Sequence, residues 1–222
     1  MNSVVISVGG SIIVPDKVDS SFLKNLREII IQFSKKNKVV LVIGGGKTCR
    51  NYNDAASKVR NLTHEELDWL GIEATKLNAF LVKTIFGDIA HGVVYNPTEP
   101  IKSNKKIIIA SGWKPGCSSD KDATLLAENL GIKTVINMSN IDYVYDKDPK
   151  EHKDANPLDE MSWTQLQKLV GTKWIPGMNM PFDPIATKHA KELGLTLYII
   201  GNDIKNLNNL LHDKPFKGTV IK

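Results

Sequence analysis

Short runs of consecutive apolar residues alternate along the chain with longer segments in which apolar residues recur at helical spacing. Such runs are typical of strands buried on both faces, because a strand with one exposed face alternates apolar and polar residues. The predicted strands are 4–8, 39–43, 107–110, 134–138 and 195–200. Strands that alternate with helices predict an α/β fold, with a mostly parallel sheet covered by helices on both faces.

Capping residues mark where several helices begin. Asp19 or Ser20 can cap a helix with apolar residues from Phe22 to Phe33, and Thr63 with Glu66 forms a capping box for a helix toward Ile85. Further helices are predicted from Lys47 and over 123–130, 162–170, 184–193 and 203–211, with a short edge strand over 218–221. We expect one compact domain, 1–222, with lobes of about 1–130 and 131–222. The polar stretch 146–156 is either a linker or a functional surface loop.

Composition narrows the classes of function. With 41% hydrophobic and 24% charged residues, the chain is not intrinsically disordered. Its apolar runs are too short to span a bilayer and it begins directly with a strand-like segment, so we expect a cytoplasmic protein with no membrane partner. Cys49 and Cys117 are too few for a disulfide framework and lack metal-ligand spacing. The net charge of +5 suits nucleic acid or a small phosphorylated substrate equally, but no stripe of aromatic and basic residues supports nucleic acid.

Three predicted strands end in glycine-containing turns, at 9–11 (GGS), 44–46 (GGG) and 111–112 (SG). Ligands of parallel sheets gather at the carboxyl ends of the strands, and glycine lets backbone N–H groups approach phosphate oxygens. For any one of these turns taken alone, a tight strand–helix connection explains the glycine as readily as phosphate binding does. Three such turns together favour a polyphosphate site. Since neither the P-loop pattern nor G-x-G-x-x-G is present, the chain is neither a Walker-type NTPase nor an ordinary dinucleotide-binding domain.

Three polar segments follow later strands or precede helices: 113–120 (WKPGCSSD), 139–149 (SNIDYVYDKDP) and 182–184 (FDP). The first can hold a phosphate or sugar, or can cap the helix that begins near Lys121. The second can cradle a purine and ribose, or can be an aspartate-rich loop. Asp183 can likewise be an N-cap with Pro184 at the first helical position. Cys117 is more typical of a small buried residue than of a nucleophile.

Six motifs follow one another along the chain: GGS (9–11), GGGK (44–47), DxxGIxxTxxNA (68–79), PGCSSD (115–120), SNIDYVYDKDP (139–149) and FDP (182–184). In this order they resemble the motifs of the amino-acid kinase superfamily, and within it those of the UMP kinases of the short archaeal type. The resemblance covers essentially the whole chain. It implies an α/β/α sandwich that transfers the γ-phosphoryl group of ATP to UMP with Mg²⁺, giving UDP and ADP. It also implies a homo-oligomer, typically a hexamer. The lobe 1–130 would bind the acceptor and the lobe 131–222 would bind ATP.

By position, the resemblance also assigns roles to residues. ATP would contact Gly10, Ser11, Gly46, Arg50, Ser139, Asn140, Tyr145 and Asp148. UMP would contact Gly45, Asp68, Trp113, Lys114, Pro115, Gly116, Cys117, Ser118 and Ser119, with Asp68 suited to the ribose hydroxyls. The catalytic set would be Asp120, Asp183, Arg50 and Lys47. Asp120 and Asp183 match family aspartates that organise the cations around the reacting phosphates, and no metal site built from protein ligands alone is expected.

Two departures from the family pattern leave other functions of the protein open. Many of these kinases carry a lysine two residues before the first glycine pair, where this chain has Ser7, and the segment 177–182 lacks a second family lysine. Lys17, Lys47 and Lys188 are candidate replacements. Tyr143 stands where glycine is commoner. One alternative is a sister kinase that acts on isopentenyl phosphate or another small acid. The other is a non-catalytic, nucleotide-binding regulator.

Overall fold

A central sheet of eight strands organises the molecule, for which a computed structural model describes residues 1–149, 151–173 and 180–222. The strands are β1 Val4–Val8, β2 Val39–Ile43, β3 Ala90–Val94, β4 Ile107–Ala110, β5 Thr134–Met138, β8 Glu160–Met161, β9 Thr196–Ile200 and β10 Thr219–Ile221. Their order in the sheet is β3-β4-β2-β1-β5-β9-β10-β8, and every neighbouring pair is parallel except β9 and β10. β6 (Val144–Tyr145) and β7 (Pro157–Leu158) form a separate antiparallel pair.

Helices cover both faces of this sheet. They are α1 Gly10–Ile13, α2 Ser20–Ser34, α3 Gly46–Val59, α4 His64–Phe86, α5 Ser119–Leu130, α6 Trp163–Val170, α7 Pro184–Glu192 and α8 Ile204–Leu211, with a short 3₁₀ turn at Gly87–Ile89. Alternate residues of β1 enter opposite layers: Val4, Ile6 and Val8 pack with α1, α2, α4 and α8, whereas Val5 packs with α5, α6 and α7. This confirms the predicted three-layer α/β/α sandwich.

The predicted caps are present. The Asp19 side chain accepts the Phe22 N–H at the start of α2, and Thr63 and Glu66 form a complete capping box at the start of α4. Gly131 ends α5 in the left-handed conformation that glycine adopts without strain. Among the described residues, no helix is both long and apolar enough to cross a membrane.

The structure differs from the sequence-based prediction in several elements. The segment 218–221 was predicted as an edge strand, but β10 lies between β9 and the two-residue strand β8. The edge strand β3 and the one-turn helix α1 were not predicted. α5 begins at Ser119, before the predicted start near Lys121. The two ends of the polar stretch between β6 and β7 are joined, because the Asp146 carboxylate accepts the Asn156 backbone N–H at 2.9 Å, which agrees with a surface loop and not with a linker.

Candidate active site

The first two glycine turns pack directly against each other at the carboxyl ends of β1 and β2. A Cβ atom at Gly10 would lie 2.5 Å from the carbonyl carbon of Gly44 and 2.6 Å from the nitrogen of Gly45, so no larger residue fits. Gly46 has a φ of +60°, which again favours glycine. The glycines are therefore required by the close approach of two backbones. That approach also brings the N-terminus of α3 beside the first turn, where the positive end of the helix dipole favours an anion.

Cationic groups lie at the mouth of these turns. Arg50 is exposed on α3, and its guanidinium donates a hydrogen bond to the Ser11 hydroxyl at 3.1 Å. Lys47 is partly exposed, with its backbone N–H bonded to the carbonyl of Val14. Arg50 and Ser11, both predicted as phosphate ligands, are thus brought together by the fold.

A second cluster joins α5 and α7 to β1. The Asp120 carboxylate accepts hydrogen bonds from the Ser7 hydroxyl at 3.3 Å and from the Asp183 backbone N–H at 3.1 Å. The Asp183 side chain caps α7, accepting from Ile185 at 2.6 Å and Ala186 at 2.8 Å. Asp183 is therefore an N-cap, as one of the two interpretations predicted, and it still lies next to Asp120.

Sequence reasoning missed a third carboxyl group in this region. Asp122 has no exposed surface, and neither of its carboxylate oxygens has a hydrogen-bond partner within the described part of the chain. Burial raises the pKa of Asp122 to about 7. The Trp113 backbone N–H opposes this rise electrostatically, but its position does not meet the geometry of a hydrogen bond. Burial, together with the nearby Asp183 carboxylate, also raises the pKa of Asp120 to about 7.

The segment 113–119, called here the acceptor loop, is fastened to α4 through Asp68. The Asp68 carboxylate accepts the Gly116 N–H at 3.1 Å, and the Lys114 ammonium lies 4.0 Å from the centroid of the Trp113 ring. Ser118 caps α5, as the alternative interpretation predicted. Asp68 and the acceptor loop, both predicted to bind UMP, are therefore in contact, and one Asp68 oxygen is engaged by the loop.

Cys49 and Cys117 are half-buried free thiols. Burial raises the pKa of both, and a thiol held protonated is a poor nucleophile. The raised pKa agrees with the interpretation of Cys117 as a packing residue. Cys49 packs against the second glycine turn, since a Cβ atom at Gly45 would lie 2.7 Å from its Cβ.

The residues predicted for the ATP nucleoside occupy two places. Ser139 lies beside the first glycine turn, with its Cα atom 3.8 Å from where a Cβ of Gly9 would be. Tyr145 is on the β6–β7 hairpin and lines a cavity of about 370 Å³ with Leu158, Met161 and Lys168. Across the described ranges, no hydrogen bond or ion pair joins Asn140 or Tyr145 to the glycine turns. The backbone carbonyl of Asp148 accepts hydrogen bonds from residues 151 and 152 within the surface loop.

Two of the lysines proposed as replacements for the missing family lysines lie on the surface. Lys17 is exposed, and Lys188 lies on an exposed face of α7, 3.9 Å from Glu192. The segment 177–182, which lacks the second family lysine, is described only from Met180 onward, where the backbone carbonyl of Pro181 accepts a hydrogen bond from the Asn137 amide at 3.0 Å. Lys121, which the sequence did not single out, follows Asp120 and is partly buried; burial lowers its pKa.

The motif order and the arrangement of the site agree with one family, whose model matches residues 2–201 of the chain under the description "Amino acid kinase family".

The chain belongs to the amino acid kinase family.

Within this family, it is similar to uridylate kinases along its whole length. It is 34% identical to that of Pyrococcus abyssi over 224 residues, 99% of each chain, and 33% identical to that of Thermoplasma volcanium over 226 residues, 99% of this chain and 97% of the relative. The solved uridylate kinase of Archaeoglobus fulgidus superimposes with a TM-score of 0.86 at 30% identity, covering 99% of this chain and 100% of that one. The UMP kinase of Ureaplasma parvum, 19% identical with a TM-score of 0.78, shares the fold.

Proposed function

We propose that this amino acid kinase transfers the γ-phosphoryl group of ATP to UMP, giving UDP and ADP. The observation that carries the proposal is similarity at 33–34% identity to uridylate kinases over nearly the full length of both partners. The hydrogen bond between the Gly116 N–H and the Asp68 carboxylate supports it, because this bond joins two of the segments predicted to bind UMP.

The chemistry asks the chain to position two anions and to neutralise charge. The attacking 5′-phosphate is already ionised, so no general base is required, and catalysis consists of in-line alignment with electrostatic stabilisation. The turns 9–11 and 44–46 would lie against the phosphates, with Arg50 beside Ser11 as the cation that stabilises the migrating group. Lys47 adds positive charge at the second turn, and Ser139, Asn140, Tyr145 and Asp148 contact the ATP nucleoside.

Mg²⁺ is the expected companion of ATP, and the donor set fits it. Mg²⁺ prefers oxygen ligands and commonly uses one or two carboxylates together with substrate phosphates. Asp120 and Asp183 supply such carboxylates, whereas no cluster of three or more candidate ligands occurs within the described residues. The bound ion would neutralise phosphate charge, and Asp120 and Asp183 would orient it.

The acceptor would lie between Asp68, Gly45 and the acceptor loop. The Asp68 oxygen that accepts the Gly116 N–H orients the carboxylate, and its second oxygen can accept the ribose hydroxyls. In this arrangement the lobe 1–130 binds UMP and the lobe 131–222 binds the ATP nucleoside. Both are parts of a single domain.

The proposal includes a homo-oligomer, with a hexamer as the expected form. Large apolar side chains are exposed along α3 and α4, where burial against another subunit would remove them from water: Tyr52 at 61%, Val59 at 86%, Trp69 at 43%, Leu77 at 61% and Phe80 at 60%. The proposed location is the cytoplasm, since ATP is the co-substrate and both cysteines are free thiols.

A coupled assay of ADP release tests the function. With ATP and Mg²⁺, we expect turnover with UMP that exceeds turnover with CMP, dUMP or isopentenyl phosphate. Turnover with isopentenyl phosphate alone would assign the protein to the sister kinases.

One observation favours a second candidate, a nucleotide-binding regulator without turnover. Ser7 stands where many family kinases have a lysine, and its hydroxyl donates to Asp120, so this carboxyl has a neutral partner in place of a cation. Binding of ATP, measured by calorimetry, without ADP release on any acceptor would identify this function.

A further inference from the structure

Helix α4 carries three polar side chains that reach different parts of the candidate site. Asp68, Thr75 and Asn78 are seven and three residues apart, a spacing that places them on one face of a helix. Each makes a hydrogen bond to the backbone of a loop outside α4. Asp68 and Thr75 bond to the segment after β4, and Asn78 bonds to the glycine turn after β2.

Asn78 holds the second glycine turn. It is buried at 3% exposure, and its amide nitrogen donates to the carbonyl of Gly44 at 2.9 Å and to that of Gly45 at 3.0 Å. Two carbonyls held toward α4 fix the orientation of the peptide groups in this turn. The turn contains Gly45 and Gly46, which are proposed to contact UMP and ATP respectively.

Thr75 holds the start of the segment that leads into the acceptor loop. Its hydroxyl donates to the Ile72 carbonyl at 2.7 Å and accepts the Gly112 N–H at 2.8 Å. A Cβ atom at Gly112 would lie 2.9 Å from this hydroxyl oxygen, so the close approach depends on glycine at 112. Gly116 lies four residues after Gly112, and its N–H donates to the Asp68 carboxylate. The loop is therefore held to α4 at two points, Thr75 and Asp68.

We propose that Thr75 and Asn78 are positioning residues that set the distance between the second glycine turn and the acceptor loop by fastening both to one rigid helix. The inference rests on the proposed transfer between two bound nucleotides. In-line transfer depends on this distance, because a displacement of about 1 Å in the alignment of reacting groups can cost about 100-fold in rate. Neither residue touches the reacting atoms.

The two residues have different kinetic signatures. Thr75→Val keeps the shape but removes the acceptor of the Gly112 N–H, so we expect the KM for UMP to rise about tenfold while the KM for ATP stays the same. Thr75→Ser retains a hydroxyl and should restore the wild-type KM. Asn78→Leu releases the turn shared by both nucleotides, so we expect kcat to fall about 100-fold.

Matched controls separate positioning from stability. Asn206 on α8 is a buried amide that also makes two backbone hydrogen bonds, both with Lys217 at 2.7 Å, and Asn206→Leu is the control for Asn78→Leu. Ser34 on α2, like Thr75, donates to the carbonyl three residues earlier, and Ser34→Ala is the control for Thr75→Val. Both controls should lower the thermal midpoint without changing kcat or either KM.

Hydrogen exchange in the nucleotide-free protein gives a readout independent of turnover. Thr75→Val should speed exchange of the Gly112 amide, and Asn78→Leu should speed exchange in 44–46, each by about tenfold or more. If the wild type does not phosphorylate UMP, the proposed function fails while the exchange data still test the fastening of the loops. If the wild type is active and both variants keep wild-type kcat, KM and exchange rates, or lose stability alone as the controls do, the positioning role is overturned.

Discussion

The fully buried Asp122 carboxyl predicts that the nucleotide-free protein becomes less stable as the pH rises. Burial raises its pKa from 3.8 to about 7, so between these values the folded state holds a proton that the unfolded chain has released. Stability therefore falls with increasing pH across this range and is lowest once the pH exceeds 7. Asp120, whose pKa is also raised to about 7, contributes in the same direction.

The raised pKa of Asp122 gives the expected change in the free energy of unfolding for Asp122→Asn. About three pKa units, at about 1.4 kcal/mol each, correspond to at most about 4 kcal/mol of destabilisation by the Asp122 charge at pH 8. With two such carboxyls, the free energy of unfolding should fall by up to about 3 kcal/mol per pH unit near pH 6. In Asp122→Asn only the Asp120 contribution remains, so the slope should fall to about half.

Urea unfolding between pH 5 and 8.5, without nucleotide or Mg²⁺, measures this slope. The variant should gain stability relative to the wild type as the pH rises. Asp88→Asn, which removes an exposed carboxylate, is the control and should follow the wild-type slope. Equal slopes for Asp122→Asn and the wild type would refute the argument that burial of an unpartnered carboxyl sets the pH dependence.

Three further predictions concern the turns and the surface. Arg50→Ala should lower kcat with UMP about 100-fold, because it removes the cation beside Ser11, and an unchanged kcat would exclude that role. Gly10→Ala should cost about 3 kcal/mol in urea unfolding, whereas Gly92→Ala, where a Cβ meets nothing within 4 Å, should be nearly neutral; equal costs would contradict the backbone contact. Leu77→Glu should shift the mass in light scattering toward the 24.6 kDa subunit, and a monomeric wild type would contradict the proposed oligomer.

The elements that the sequence predicted well depend on neighbours along the chain. The capping box of Thr63 and Glu66 and the cap at Asp19 involve residues three apart, so the signal is local. β3 was missed because three of its five residues are not buried, and its sequence, AHGVV, has neither a continuous apolar run nor a strict alternation. The position of β10 depends on pairing with the two-residue strand β8, which carries no strand pattern of its own.

The sequence by itself determined the family and the fold class, because these depend on motif order and local periodicity, and it predicted which segments carry the chemistry. It left two interpretations for the glycines and for Asp183, and it did not single out Asp122 or assign roles to Thr75 and Asn78. Tertiary structure decided these points. The need for glycine at position 10 comes from contact with 44–46, and the perturbed pKa of Asp122 comes from burial under several elements. Burial and contact between distant segments exist only after the chain has folded.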